Sequence, residues 1–225
     1  LASALAELGL PRAKGGRRAL AAALYRGLIL TLPACVRAWF TALRNRGLSA
    51  GVESYTSQYI SPALLDREIQ KAKSGTGGKP SDNLTIRANR TTREVTAVYT
   101  MDESSLEMVI KLPAAYPLKV MDVECVRTIG LPEGRLRKWL LSIASYLRNQ
   151  NGSVAEAVEL WNQNVEKEFE GVEECPICYA VIHATNRSLP KLACRTCRHK
   201  FHPACLYKWF SSSHKSTCPM CQSPF

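Results

Sequence analysis

The 225-residue sequence lacks any run of about 18 uncharged apolar residues. The nearest approach, residues 19–40, is broken by Arg26, Pro33 and Arg37, so neither a membrane span nor a membrane partner is expected. Nor is a secretory leader expected from these residues. Arg12, Lys14, Arg17 and Arg18 precede the apolar stretch, but no small-residue cleavage site follows it. Methionine is absent from position 1, so the chain is expected to be a fragment or a processed form. Acidic residues are scarce at the front. Residues 1–50 carry eight Lys or Arg against one acid, residues 51–170 carry 15 against 16, and residues 171–225 carry seven against two, for a net charge of +11. Cysteine is almost confined to the tail, where seven of nine follow position 174; only Cys35 and Cys125 lie elsewhere. An odd set of closely spaced thiols with a histidine among them argues against a disulfide framework. It points to metal in a reducing compartment, the cytosol. No Ser/His/Asp or Cys/His pairing for nucleophilic catalysis stands out in the rest of the chain.

The chain is otherwise of globular composition, 46% hydrophobic and 22% charged. Residues 18–73 read as helices. Leu20, Leu24, Leu28 and Leu32 recur every four positions, and after Pro33 the residues Val36, Trp39, Phe40 and Leu43 keep helical spacing. Gly47 reads as a stop. Ser61-Pro62 reads as an N-cap with proline at the first helical position, opening a helix to about Lys73. Such helices suit the end of a helical-repeat array, assigned to residues 1–60.

Residues 74–81 (SGTGGKPS) read as a flexible connection. Beyond them the apolar period becomes two. Val95, Ala97 and Tyr99 alternate, as do Leu106, Met108, Ile110 and Leu112, and then Met121, Val123 and Cys125, which predicts half-buried antiparallel strands with Cys125 a buried core thiol. Helices return after Pro132. Leu136, Trp139, Leu140, Ile143 and Leu147 form one stripe; residues 149–152 turn; Ser153 with Glu156 makes a capping box for a second stripe of Val154, Val158, Trp161, Val165 and Phe169. These stripes read as core. The fold class is α+β, with a small sandwich over residues 61–170.

The strongest pattern is four ligand pairs at one spacing: Cys175 and Cys178, Cys194 and Cys197, His202 and Cys205, Cys218 and Cys221. Two tetrahedral Zn2+ ions need eight soft ligands, and eight are present. A segment of about 50 residues buries too little apolar surface to fold alone, so metal has to supply folding energy. Seven thiolates and two zinc ions would bring the chain from +11 to +8. One ligand position stays open between Cys194 and His199. His183 and His214 fall outside the pairs and read as solvated loop residues.

The ligand order CCCCHCCC over residues 171–225 resembles RING-type and PHD fingers. In both, the resemblance implies a cross-brace, with Cys175, Cys178, His202 and Cys205 on the first zinc and Cys194, Cys197, Cys218 and Cys221 on the second. A PHD finger would have an aromatic at position 216, where this chain has Ser216. The residues Ile177, Trp209 and Pro219 match the RING pattern instead. In RING ubiquitin ligases these three positions form an apolar groove for the loops of a ubiquitin-conjugating E2 enzyme. Many RINGs then carry Arg or Lys at the position of Gln222, which lacks that charge.

The helix, strand meander, Tyr116-Pro117 turn and two closing helices resemble an RWD domain. The run from NQNGS at 149–153 through KEFEGVEECPIC at 167–178 is similar to the RING ubiquitin ligases of ribosome-associated quality control. That family implies an E3 ubiquitin transferase without a nucleophile of its own. Its implied partners are a ubiquitin-charged E2, ubiquitin, the large ribosomal subunit with a stalled nascent chain, and a quality-control co-factor that recognises peptidyl-tRNA. Arg12, Lys14, Arg17, Arg18, Arg26, Arg37, Arg44 and Arg46 offer contacts to rRNA phosphates, or form an ordinary solvated helix face. A non-catalytic zinc-bearing interaction module is the competing function.

Overall fold

A computed structural model describes residues 16–75, 82–128 and 130–225. Arg12, Lys14 and most of the expected connection at 74–81 lie outside these residues, as does the side chain of Arg17. Four helices come first: α1 (Gly16–Thr31), α2 (Pro33–Ala42), α3 (Arg46–Tyr59) and α4 (Ser61–Ser74). Proline in the first turn of α2 and of α4 fits helix starts, where the missing N–H would have no intrahelical partner anyway. Gly47 is not a stop. It sits in the first turn of α3, whose N-cap Asn45 accepts from the Leu48 N–H, and the preceding helix has already ended at Ala42. Nor does Ser61 cap α4. The helix begins one residue earlier than a serine cap requires, and the fully buried Ser61 hydroxyl faces the carbonyls of Thr56 and Tyr116.

Strands β1 (Leu84–Asn89), β2 (Glu94–Met101), β3 (Ser104–Lys111) and β4 (Asp122–Arg127) form an antiparallel meander in sequence order. The two-residue alternation does what it predicts. Inward residues pair across the ladder, Val95 with Ile110, Ala97 with Met108 and Tyr99 with Leu106, and all six are at most 3% exposed. A register shift beside Glu107 leaves Val126 without a partner in β3. Cys125 is half-buried, not a fully buried core thiol, because β4 is an edge strand beside that bulge.

Helix α4 packs on β1, and two further helices, α5 (Glu133–Asn149) and α6 (Val154–Phe169), pack on β4 and β2. Ser153 and Glu156 form the expected capping box at the start of α6. Trp161, Ile143, Ile69 and the inward strand residues make one core, with Tyr99 stacked on Phe169. A second, smaller core joins the front helices to this domain. Ile29, Val36 and Ile60 pack with Ala115 and Leu118 of the β3–β4 connection. Arg37 crosses that junction. Its guanidinium donates to the carbonyls of Pro117 (3.2 Å) and Arg148 (2.7 Å) and to Asn151 Oδ1 (2.9 Å). Arg37 is therefore buried and unavailable to phosphates, whereas Arg18, Arg26, Arg44 and Arg46 are exposed. Leu20, Leu24, Leu28 and Leu32 keep helical spacing but are 42–52% exposed. Among the described residues no single helix is long and apolar enough to cross a membrane.

Candidate metal centre and docking face

The tail contributes one two-stranded ribbon, β5 (Leu192–Ala193) with β6 (Lys200–Phe201), and one helix, α7 (Pro203–Ser213). Much of the remainder is turn, apart from an isolated bridge between Thr217 and Pro224, and the turns repeat. In each Cys-x2-Cys pair the residue after the second cysteine is left-handed: Tyr179 (φ 55), Arg198 (φ 60) and Gln222 (φ 59). Each donates its N–H to the carbonyl of the first cysteine, at 2.8–3.0 Å. The first cysteine's N–H donates in turn to the following residue, Ala180, His199 or Ser223. This closed loop turns both sulfurs of a pair the same way. The third pair in chain order, the one with a histidine, is built differently: His202 is the N-cap of α7, Pro203 opens the helix, and Cys205 lies in its first turn.

These turns bring eight donor atoms into two groups, each with all four atoms within 4.8 Å of one another: Cys175, Cys178, His202 and Cys205, and Cys194, Cys197, Cys218 and Cys221. First and third pairs share one group, second and fourth the other, as in a cross-brace. Cys194 stands in the second group, while His199 is exposed and lends backbone groups, not its imidazole. The geometry fits zinc. A tetrahedron with Zn–S bonds of about 2.3 Å has edges near 3.8 Å. The Sγ atoms of Cys194 and Cys221 are 3.7 Å apart, as are those of Cys197 and Cys218. His202 Nδ1 lies 3.3 Å from Cys178 Sγ and 3.9 Å from Cys205 Sγ. The two clusters therefore fit two zinc ions.

The electrostatics favour the same occupant. Burial lowers the His202 pKa, which keeps the imidazole neutral. Its Nε2 lies 3.0 Å from the Val181 carbonyl, a bond that needs the proton on Nε2 and frees Nδ1 as a ligand. The Ser223 backbone N–H and side chain hold the Cys221 thiol down at about 6. Burial pushes Cys205 up to about 12, with the sulfur of Cys178 adding to the rise. At Cys197 a His199 backbone N–H favours the thiolate. Burial and the sulfurs of Cys221, Cys194 and Cys218 outweigh it and raise the thiol to about 12. Crowded sulfurs that share protons in this way are relieved when a divalent cation replaces those protons.

Between the clusters Phe201 and Leu206 are buried, and Ile177, Trp209, Phe210 and Phe225 pack half-exposed against them. The Trp209 indole N–H donates to the Thr217 carbonyl at 3.0 Å, which fixes the ring. Pro219 is half-buried beside Cys218, and Gln222 is exposed. His214 is exposed at the left-handed end of α7, as a solvated loop residue should be. His183 is not solvated. It is half-buried with its ring edge against His202, centroids 5.3 Å apart, because the segment carrying it folds back over the first cluster.

Three backbone and turn features escape sequence reasoning: the Val181 carbonyl on His202, the Asp102 carboxylate on the Val181 and Ile182 N–H groups, and the close seat of Gly130 against Arg187. Main-chain acceptors carry no residue signature, and Asp102 lies about 80 residues from the segment it holds.

A cross-braced pair of four-donor clusters around a small apolar core, carrying a fixed tryptophan and a half-exposed isoleucine, defines a RING-type zinc finger, here set on an RWD-like α+β domain. Comparison with known families agrees. A model described as "Ring finger domain" matches residues 173–222, one described as "Ubiquitin conjugating domain-like" matches 84–168, and one described as "LTN1 family HEAT repeat region" matches 10–73. The chain is 46% identical over 206 residues to a mouse protein named E3 ubiquitin-protein ligase listerin, covering 92% of this chain and 12% of that one. The fission-yeast and budding-yeast proteins of that name are 40% and 42% identical, over 92% and 82% of this chain and 13% and 12% of their own lengths. The chain belongs to the listerin family and carries its RWD–RING part, about an eighth of the length of these relatives.

Proposed function

We propose that this chain is the ubiquitin-transfer part of an E3 ubiquitin-protein ligase. It recruits a ubiquitin-charged E2 and promotes transfer of ubiquitin to lysines of stalled nascent chains on the large ribosomal subunit, in the cytosol. The observation that carries this reading is the half-exposed apolar pair Ile177 and Trp209, held rigidly on the paired clusters. An exposed anchor on a stiff support loses little freedom on docking, which suits it to an interface. Pro219 and the exposed Gln222 complete the proposed E2 face. Among the described residues the two thiols outside the clusters are the exposed Cys35 and the half-buried Cys125, and neither is assigned a nucleophilic role. Cys125 is the sole thiol between residues 61 and 170, and burial raises its pKa. The substrate lysine amine attacks the E2–ubiquitin thioester carbonyl, the E2 thiolate leaves, and an isopeptide bond forms. The finger contributes proximity and a restrained thioester. Exposed Arg18, Arg26, Arg44 and Arg46 supply phosphate contacts for the ribosomal subunit, alongside a co-factor that recognises peptidyl-tRNA.

The test is discharge of a ubiquitin-charged E2 onto free lysine. The wild-type chain accelerates it, and Trp209→Ala lowers that acceleration by about tenfold or more, the loss of a hot-spot anchor. Equal rates with and without the wild-type chain overturn the reading in favour of a non-catalytic interaction module, the function that an uncharged Gln222 favours.

A further inference from the structure

The segment between the first two cysteine pairs does not belong to the finger alone. Ile182 and Leu189 are 2% and 7% exposed, and both sit in the core of the α+β domain together with Leu106 and Trp161. Two contacts pin the segment from the other side. Gly130 lies so close that a Cβ there would stand 1.9 Å from the Arg187 carbonyl oxygen. On the β2–β3 turn, Asp102 Oδ2 accepts from the Val181 N–H at 3.0 Å and the Ile182 N–H at 3.3 Å. Asp102 holds a left-handed backbone (φ 51), a conformation that glycine would adopt at less cost but without a carboxylate. The carbonyl of the same Val181 is the partner of His202 Nε2, and His202 Nδ1 points into the first cluster.

We infer that Asp102 is a positioning residue, which acts through Val181 to hold the first zinc cluster, and with it the E2-docking face, in one orientation on the α+β domain. The path is short and continuous: carboxylate, Val181 peptide, imidazole, metal. A ligase that hands ubiquitin to a particular chain gains from such a fixed support, because the distance from docking face to acceptor is then set by the fold. This inference deepens the ligase reading, yet its measurements need no ubiquitin.

Two measurements on the zinc-loaded chain test it. Release of zinc to a chelating dye should resolve two ions, and Asp102→Ala should speed the release of one of them about tenfold, the usual scale for an outer-shell support, while the other is unchanged. Spin labels attached without cysteine at the exposed positions Leu141 on α5 and Tyr207 on α7 should give one narrow distance in the wild type and a broad distribution in Asp102→Ala. Asp102→Asn keeps the turn and a weaker acceptor and should fall between the two. If Asp102→Ala fails to fold, Asp102→Asn decides by the same readings. Unchanged release of both ions with an unchanged narrow distance overturns the inference. A wild-type chain that fails to discharge the E2 would sink the ligase reading alone and leave these results standing.

Discussion

The α+β domain and the finger reach order by opposite routes. The first buries a continuous apolar core in which Leu106, Met108, Ile110, Ile143 and Val154 are all inaccessible to solvent. The second has only two buried hydrophobic side chains in its own cluster, Phe201 and Leu206, with the rest supplied by cysteines. A core of the first kind is patterned by period two and period 3.6 and tolerates gradual change. One of the second kind depends on eight atoms, and each loss costs a ligand.

Removing the metal should break this comparison most sharply. Structural zinc contributes roughly 10–16 kcal/mol to small domains that depend on it. Thorough chelation is therefore expected to abolish hydrogen-exchange protection across residues 192–225 while β2 and β3 keep theirs. Protection that survives in the finger would show that it folds without zinc. The converse perturbation is Trp161→Ala. It empties the centre of the α+β core and should cost about 3–5 kcal/mol in denaturant unfolding, with native mass spectrometry still counting two zinc ions. Loss of zinc in that variant would mean that the finger cannot fold without its support.

A smaller effect is expected at the other junction. Arg37→Met removes the guanidinium from the Pro117 and Arg148 carbonyls and from Asn151. It should cost about 1–3 kcal/mol, visible as faster exchange in residues 112–121, because the buried acceptors lose their donor. Smallest is the cap of α6. Ser153→Ala is expected to cost about 1 kcal/mol. Its partner Glu156 has a carboxyl pKa lowered by the Ser153 backbone N–H first and its hydroxyl second. A carboxyl lowered in the folded state stabilises above its unfolded pKa, and that gain disappears as pH falls through the folded value. The stability gap between wild type and Glu156→Gln should therefore be present at neutral pH, well under 1 kcal/mol for so exposed a group, and should close below about pH 4. A gap that widens on acidification would refute the assignment.

The places where expectation and structure part are instructive. Gly47 looked like a stop because glycine is a weak helix former, but Asn45 two residues earlier is the stronger local signal and starts a helix through it. Ser61 has the composition of a cap, yet tertiary acceptors at Thr56 and Tyr116 claim its hydroxyl. Arg37 lies in a basic run and reads as a surface charge; three acceptors at the fold's inner junction make it internal. His183 sits outside every ligand pair, and only the return of its segment over His202 gives it a place.

The sequence alone determined which residues could ligand metal, where β2 and β3 run, and where the capping box of α6 lies. Those properties are local, since spacing sets turn geometry and periodicity sets a face. Tertiary structure decided which cysteine pairs share an ion, that Cys194 and not His199 completes the second cluster, and that the finger is seated on the α+β domain through Ile182, Leu189, Gly130 and Asp102. Those are contacts between distant segments and main-chain groups. Backbone carbonyls and N–H groups are the same at every position but proline, so no string of side chains records which of them will meet.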